Sequence, residues 1–234
     1  MKPRLSPPRA ARILACAAAL ALAVGSCAAQ SKPNGSSRAP KDLGSVEVKN
    51  YQGKDLSSVE DFQENSISGP QAVDKATYRL EINGLVKDPL LLTYDQVIAR
   101  DAYSKVVTLN CVEGWSVTIL WEGVKVEDLL AQAGCDPKAA VVIFTAYDGY
   151  TTSHPLSWIE GRDILLAYKM NGIPIPAERG FPFVLVAEDK WGFKWIKWVT
   201  KMDVSDDTAF RGFWESRGYN QNGDLSGPKW GPGF

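Results

Sequence analysis

The 234-residue chain has a single histidine, four cysteines and three methionines. With His154 alone, the H-E-x-x-H zinc-hydrolase pair, C2H2 zinc fingers and most hydrolytic triads are excluded, because each needs an imidazole at a set place as ligand or base. The sequence has no C-x-x-C-H haem-attachment motif. Neither sign of charge dominates: 26 basic residues face 27 acidic ones, so the basic surplus of a nucleic-acid binder is missing and no nucleic-acid partner is expected. What is present is a composition near the globular average, 45% hydrophobic and 10% aromatic, which fits one folded body and excludes disorder, collagen and coiled coil.

The first residues read as an address. Lys2, Arg4, Arg9 and Arg12 precede the apolar run Ile13 to Val24, which is shorter than the ~20 residues of a membrane span and has the charged-then-apolar order of a secretory signal. Val24-Gly25-Ser26-Cys27 is similar to a bacterial lipobox, whose cysteine is acylated after cleavage. A plain signal peptide with an incidental cysteine is the alternative. Gln30 to Ser45 is rich in Ser, Gly, Pro, Lys and Asn and cannot bury enough apolar surface to order itself. The expected organisation is a lipoprotein-type signal over residues 1–26, a flexible tether over 27–72, a body over 73–220 and a C-terminal tail over 221–234. The protein is then exported and membrane-anchored through lipid on Cys27, facing the periplasm or cell exterior. Removing the signal leaves 22 basic against 27 acidic residues.

Within the body, Thr77 to Ile82 alternates polar and apolar residues and runs into Asn83-Gly84, a strand and turn. Thr93 can cap a short helix. Lys105 to Asn110 reads as a buried strand. Val126, Leu129, Leu130 and Ala133 fall at helical spacing, with Gly134 as the stop. Further strands are predicted at 140–146, 165–170, 183–187 and 194–204, and Asn171-Gly172 marks a hairpin between 166–170 and 173–176. The fold class is α+β: a strand-rich mixed-sheet domain with short helices.

Trp191, Trp195 and Trp198 sit among Lys190, Lys194 and Lys197. On a strand the pleat would separate an aromatic face from a basic one. That basic face could hold an anion such as phosphate, or could simply protect a solvated edge. Cys111, at a strand end before Gly114, is presented toward a cleft and suits a nucleophile or soft-metal ligand. It could equally be a buried packing thiol or pair with Cys135. A papain-type nucleophile is the weakest option, since His154 lacks an orienting carboxylate.

The strings TLNCVEGW, WEGVKVEDLLAQAG, DGYTTSHPLSWIEGRDILLAYKMNGIPIP, ERGFPFVLV, WGFKWIKWV and GFWESRGYN resemble, in order and spacing, the sulfite oxidase-type molybdopterin domain family, which includes periplasmic molybdopterin-dependent methionine sulfoxide reductases. The resemblance covers about Val73 to Asn220. It implies Mo-molybdopterin as cofactor, with Cys111 as thiolate ligand to molybdenum, joining the two dithiolene sulfurs of the pterin. It further implies that Thr145 or Ala146 lines the pterin and that Lys194, Ile196 and Lys197 lie in the block gripping its phosphate. Arg179 stands where the family has His or Asn, and Val184 where it has Arg; one cation is gained where one is lost, so Arg179 can replace the missing guanidinium. The implied activity is oxygen-atom transfer to or from a small sulfur-containing or oxyanion substrate. Electrons would be exchanged with a separate partner, a membrane haem protein or cytochrome. A cofactor-free lipoprotein using the same fold to bind a ligand or partner is the rival reading.

Overall fold

A computed structural model describes residues 46–232 together with the backbone of Ser37–Arg38. The signal, the lipobox with Cys27 and, apart from Ser37–Arg38, the first part of the proposed tether up to residue 45 lie outside the described residues. In chain order the strands are β1 (Ser37–Arg38), β2 (Asn50–Tyr51), β3 (Lys54–Asp55), β4 (Leu80–Gly84), β5 (Leu90–Leu92), β6 (Tyr103–Asn110), β7 (Ser116–Lys125), β8 (Val141–Ala146), β9 (Thr151–Pro155), β10 (Leu165–Met170), β11 (Ile173–Pro174), β12 (Val184–Leu185) and β13 (Val199–Ser205). The helices are α1 (Tyr94–Ile98), α2 (Val126–Ala133) and α3 (Leu156–Ile159).

Two sheets carry the domain. One runs β1-β6-β7-β10-β11, with β12 also paired to β10; the other runs β5-β4-β13-β8-β9, and its β4–β13 pair is parallel among antiparallel neighbours. The α+β expectation therefore holds. Side chains of both sheets, among them Val107, Leu166, Ile82 and Phe144, belong to one hydrophobic core. Every residue of β10 is buried, including Lys169, whose ammonium meets the cross-strand carboxylate of Glu122 at 2.9 Å. Such a pair survives burial only because each charge compensates the other.

Helix α2 forms where the apolar period predicts it. Val126, Leu129, Leu130 and Ala133 are all buried, and Gly134 ends the helix at φ 70°, a left-handed conformation that costs a side-chain residue about 1 kcal/mol or more. Burying one such Leu is worth roughly 1.5–3 kcal/mol; Leu129→Ala would remove that and leave a cavity. Thr93 caps α1, its hydroxyl accepting from Gln96 N while the Gln96 side chain bonds back. The Asn171-Gly172 hairpin also forms, with Met170 opposite Ile173.

Four expectations are corrected. The long strand β7 and strand β9 were not foreseen, since β7 is buried on both faces and shows no period of two. Residues 190–198 are not a strand: Gly192–Lys194 is a 3-10 turn and the strand begins only at Val199. From residue 46 onward the segment read as tether packs on the body, with Leu56 and Val59 buried. The segment read as tail is also anchored: Asp224 pairs with Lys190 at 2.5 Å, and Trp230 packs at a tilt against Tyr219 with ring centroids 4.4 Å apart.

Candidate active site

Cys111 follows the last residue of β6 in a tight turn, closed by its own amide donating to Trp115 O at 2.9 Å and by Gly114 N donating to Cys111 O at 3.1 Å. Gly114, at φ 95°, lets the chain reverse into β7. Behind the cysteine passes Gly192, where a Cβ would lie 3.3 Å from Asn110 O and Cys111 Cα. Cys111 stands at the junction of two adjoining cavities of about 150 and 60 Å³. Cys111 is 4% exposed. Its Sγ donates to Glu113 Oε2 at 3.4 Å and accepts from Asn65 Nδ2 at 3.6 Å. Burial pushes the thiol above its ordinary value, and the neighbouring Glu113 carboxylate adds to that. Glu113 itself is held below the usual carboxylate range, chiefly by the Trp115 indole N–H at 3.0 Å. Cys111 and Cys135 are both thiols and are not joined to each other.

The smaller cavity carries the cations. Arg179, Val184 and Lys197 line it together with Cys111. Val184 and Arg179 line the same space. Arg179 Nε donates to Val59 O at 2.9 Å, and its other end lies 3.8 Å from Glu60. Gly180, at φ 120°, brings this loop so close to Lys197 that a Cβ would sit 2.5 Å from Val184 and 3.0 Å from Lys197. Burial lowers the Lys197 ammonium from its ordinary value, opposed by Glu64 at 3.4 Å.

The sequence-derived set divides. Cys111, Arg179 and Lys197 meet at the cavities. Ile196 lies directly beneath, its side chain in the core and its carbonyl accepting from Leu185 N. Thr145 sits on β8 between Thr151 and Lys201, outside both cavity walls. Lys194 turns inward: it is 1% exposed and bonds Glu215 Oε1 at 2.5 Å, Ser153 O at 2.7 Å and Gln221 O at 3.0 Å. Its burial lowers its pKa, and no capacity is left for an external phosphate. The expected basic face of Lys190 and Lys194 fails because the backbone turns at Gly192–Lys194 and both ammonium groups are buried against carboxylates, Lys194 on Glu215 and Lys190 on Asp224. His154 is fully buried, stacked on Trp158 at 4.4 Å with Nε2 at 3.0 Å from Lys194 O, and takes no part in the cavities.

Sequence reasoning missed Asn65, which lines both cavities from the segment read as tether. The signal was Phe62, three residues before it, an aromatic with a core to join: its ring packs edge-on to Trp115 and Trp121. Asp148 and Tyr150 line the larger cavity.

A buried thiol thus stands between a cation-lined recess and an aromatic chamber, a setting that suits a soft metal group. Residues 67–214 match the family model described as "Oxidoreductase molybdopterin binding domain", and the chain belongs to that family of molybdopterin oxidoreductases. It is 35% identical over 156 residues to "Uncharacterized oxidoreductase YuiH" of Bacillus subtilis, covering 66% of this chain and 78% of the relative. It is 35% identical over 148 residues to "Putative protein-methionine-sulfoxide reductase subunit YedZ1" of Azospira oryzae, covering 63% of this chain and 56% of the relative. Among solved structures it is similar to the sulfane dehydrogenase SoxCD of Paracoccus pantotrophus, at TM-score 0.57 and 26% identity, over 60% of this chain and 41% of that one. The residues present fit the molybdopterin that the family implies: one soft sulfur donor at the cavity junction, with a guanidinium and an ammonium in the adjoining recess for a phosphate.

Proposed function

We propose that the protein is an exported, lipid-anchored molybdopterin-dependent oxidoreductase that transfers an oxygen atom to or from a small substrate. The observation carrying this reading is the position of Cys111, whose sulfur faces both cavities. When bound, the molybdopterin supplies two-electron oxygen-atom chemistry. The chain supplies the setting. Cys111 would ligate the metal as thiolate, and Arg179 and Lys197 would hold the phosphate end. Trp115, Trp121 and Trp195 keep the recess dry, which strengthens those charge contacts. Lys194 ties Ser153, Glu215 and Gln221 together outside the cavity walls, and Ile196 fixes the loop that carries Lys197.

Electrons would pass to or from a separate redox protein, for which a membrane haem protein or cytochrome is the proposed class. The word "subunit" in the name of the YedZ1 relative supports an arrangement of that kind. Lipid on Cys27 would hold the domain at the membrane where such a partner resides. Two measurements test the reading. Protein purified from its native host should contain near-stoichiometric molybdenum and fluorescent pterin, and Cys27→Ala should move the domain from the membrane to the soluble fraction. Folded, exported protein without metal or pterin would favour the cofactor-free binding module instead.

A further inference from the structure

The C-terminal segment closes on itself beside the cysteine turn. Residues 218–220 and 229–231 run side by side: Tyr219 bridges to Trp230, Asn220 N donates to Lys229 O at 2.9 Å, and Gly231 N donates to Gly218 O at 2.8 Å. Between these two stems the loop is tied to the block behind Cys111. Trp191 N donates to Gly223 O at 2.8 Å, Leu225 N donates to Asp189 O at 2.9 Å, and Lys190 pairs with Asp224. From this closed loop Lys229 reaches across to the cysteine turn. Its Nζ donates to Val112 O at 3.2 Å, and the same ammonium lies over the Trp191 ring at 4.6 Å. Val112 is the residue after Cys111, and Trp191 precedes the Gly192 that packs against Cys111 Cα. Trp191 also bridges to Asn110, the residue before the cysteine. The ammonium therefore touches both pieces of chain that hold the cysteine backbone. The turn's own hydrogen bonds do not use Val112 O: Cys111 N donates to Trp115 O and Gly114 N to Cys111 O.

We propose that Lys229 is a positioning residue, which pins the Cys111 turn to the Trp191–Gly192 chain and so fixes where the sulfur stands. A charged donor makes a stronger hydrogen bond to a peptide carbonyl than a neutral one, and the indole face holds the ammonium in place for it. The consequence for catalysis rests on the reading of Cys111 as a metal ligand; the pinning itself is a property of the chain. Contacts that orient a metal ligand from outside typically change metal affinity or activity by about 10–100-fold when lost. Lys229 lies 117 residues from Val112 in sequence. The segment read as tail is thereby part of the framework that presents the sulfur to the cavities.

The test treats full-length protein from molybdate-starved cells with iodoacetamide and follows each cysteine separately by peptide mass spectrometry. Lys229→Met keeps the apolar stem and loses the donor. It should speed alkylation of Cys111 by about tenfold, because the buried thiol is then exposed more often by local opening. Cys135, which follows α2 and bridges to Val86, should keep its wild-type rate and so reports any general loosening of the fold. Lys229→Arg retains both a donor and a cation for the indole face and should restore the slow rate at Cys111. In molybdenum-loaded protein, Lys229→Met should release pterin about tenfold faster and alter the sulfur-to-molybdenum charge-transfer absorption, and Lys229→Arg should reverse both. An unchanged Cys111 rate in Lys229→Met, equal acceleration at both cysteines, or no recovery in Lys229→Arg overturns the proposal. Failure of the metal-ligand reading looks different: the wild type itself then carries no molybdenum and shows no charge-transfer band. The alkylation rates still decide in that case whether Lys229 pins the turn.

Discussion

Replacing Glu215 by Gln removes one charge from the Lys194–Glu215 pair and barely changes shape. The two side chains are 1% and 0% exposed, with Nζ 2.5 Å from Oε1. Taking one partner from a buried pair costs about 3–5 kcal/mol, since the other charge is left uncompensated. Here Ser153 O and Gln221 O still accept from the ammonium at 2.7 and 3.0 Å, and a Gln carbonyl can still accept from Thr152, which bonds Glu215 at 2.7 Å. The loss should therefore fall at the low end, about 3 kcal/mol. At about 2–4 °C per kcal/mol for a domain of this size, Tm should drop by about 6–12 °C, read by calorimetry or circular dichroism. The double variant Lys194→Met, Glu215→Leu removes both charges and should recover most of that stability while keeping wild-type molybdenum content. A Glu215→Gln protein within about 1 kcal/mol of wild type would refute the pair's structural role. A stable double variant that has lost its cofactor would return Lys194 to the phosphate site.

Asn171 is fully buried at φ 48°. Its Oδ1 accepts from Leu120 N at 3.0 Å, and its Nδ2 donates to Glu47 at 2.9 Å and to Ser57 O at 2.8 Å. Asn171→Ala should cost about 2–4 kcal/mol and speed protease cleavage within residues 47–67; unchanged cleavage would show that the segment is held by other contacts. For Glu47, burial opposes ionisation, but the hydrogen bonds from Lys49, Asn171, Val59 N and Ser58 win and lower its pKa from 4.5 to about 2. A depressed carboxylate stabilises the fold above its unfolded value, so this contribution is complete above pH 4.5 and vanishes as the pH falls toward 2; Glu47→Gln should flatten that part of the pH–stability curve. Arg179→Met should lower pterin content about fivefold or more, measured by fluorescence of the released pterin, because a guanidinium binds phosphate through several donors. Full retention would show that Lys197 suffices.

Local signals told most of the fold. The Asn-Gly turn, the Thr93 cap and the i, i+3, i+4 spacing of α2 are decided within a few residues, so the chain itself carries them. Strand β7 was hidden because residues buried on both faces lose the alternation that marks a half-exposed strand. The Trp191 to Trp198 block misled for the converse reason. Its alternation of lysines and aromatics has the strand period, but the backbone turns at Gly192–Lys194, and tertiary contacts with Glu215 and Asp224 bury Lys194 and Lys190. Cys111 was legible as a presented thiol, yet spacing alone could not choose between ligand, packing thiol and a pairing with Cys135. Asn65 was illegible from composition: a polar stretch reads as tether until Phe62 and Val59 find a core provided by distant strands.

The central claim, that the Cys111 thiolate binds the metal, is tested most directly by X-ray absorption at the molybdenum edge of the purified protein. The account predicts three sulfur scatterers in the wild type, two from the pterin and one from Cys111, and the loss of one in Cys111→Ser. A sulfur count unchanged by that substitution, or folded wild-type protein with no molybdenum, would contradict it.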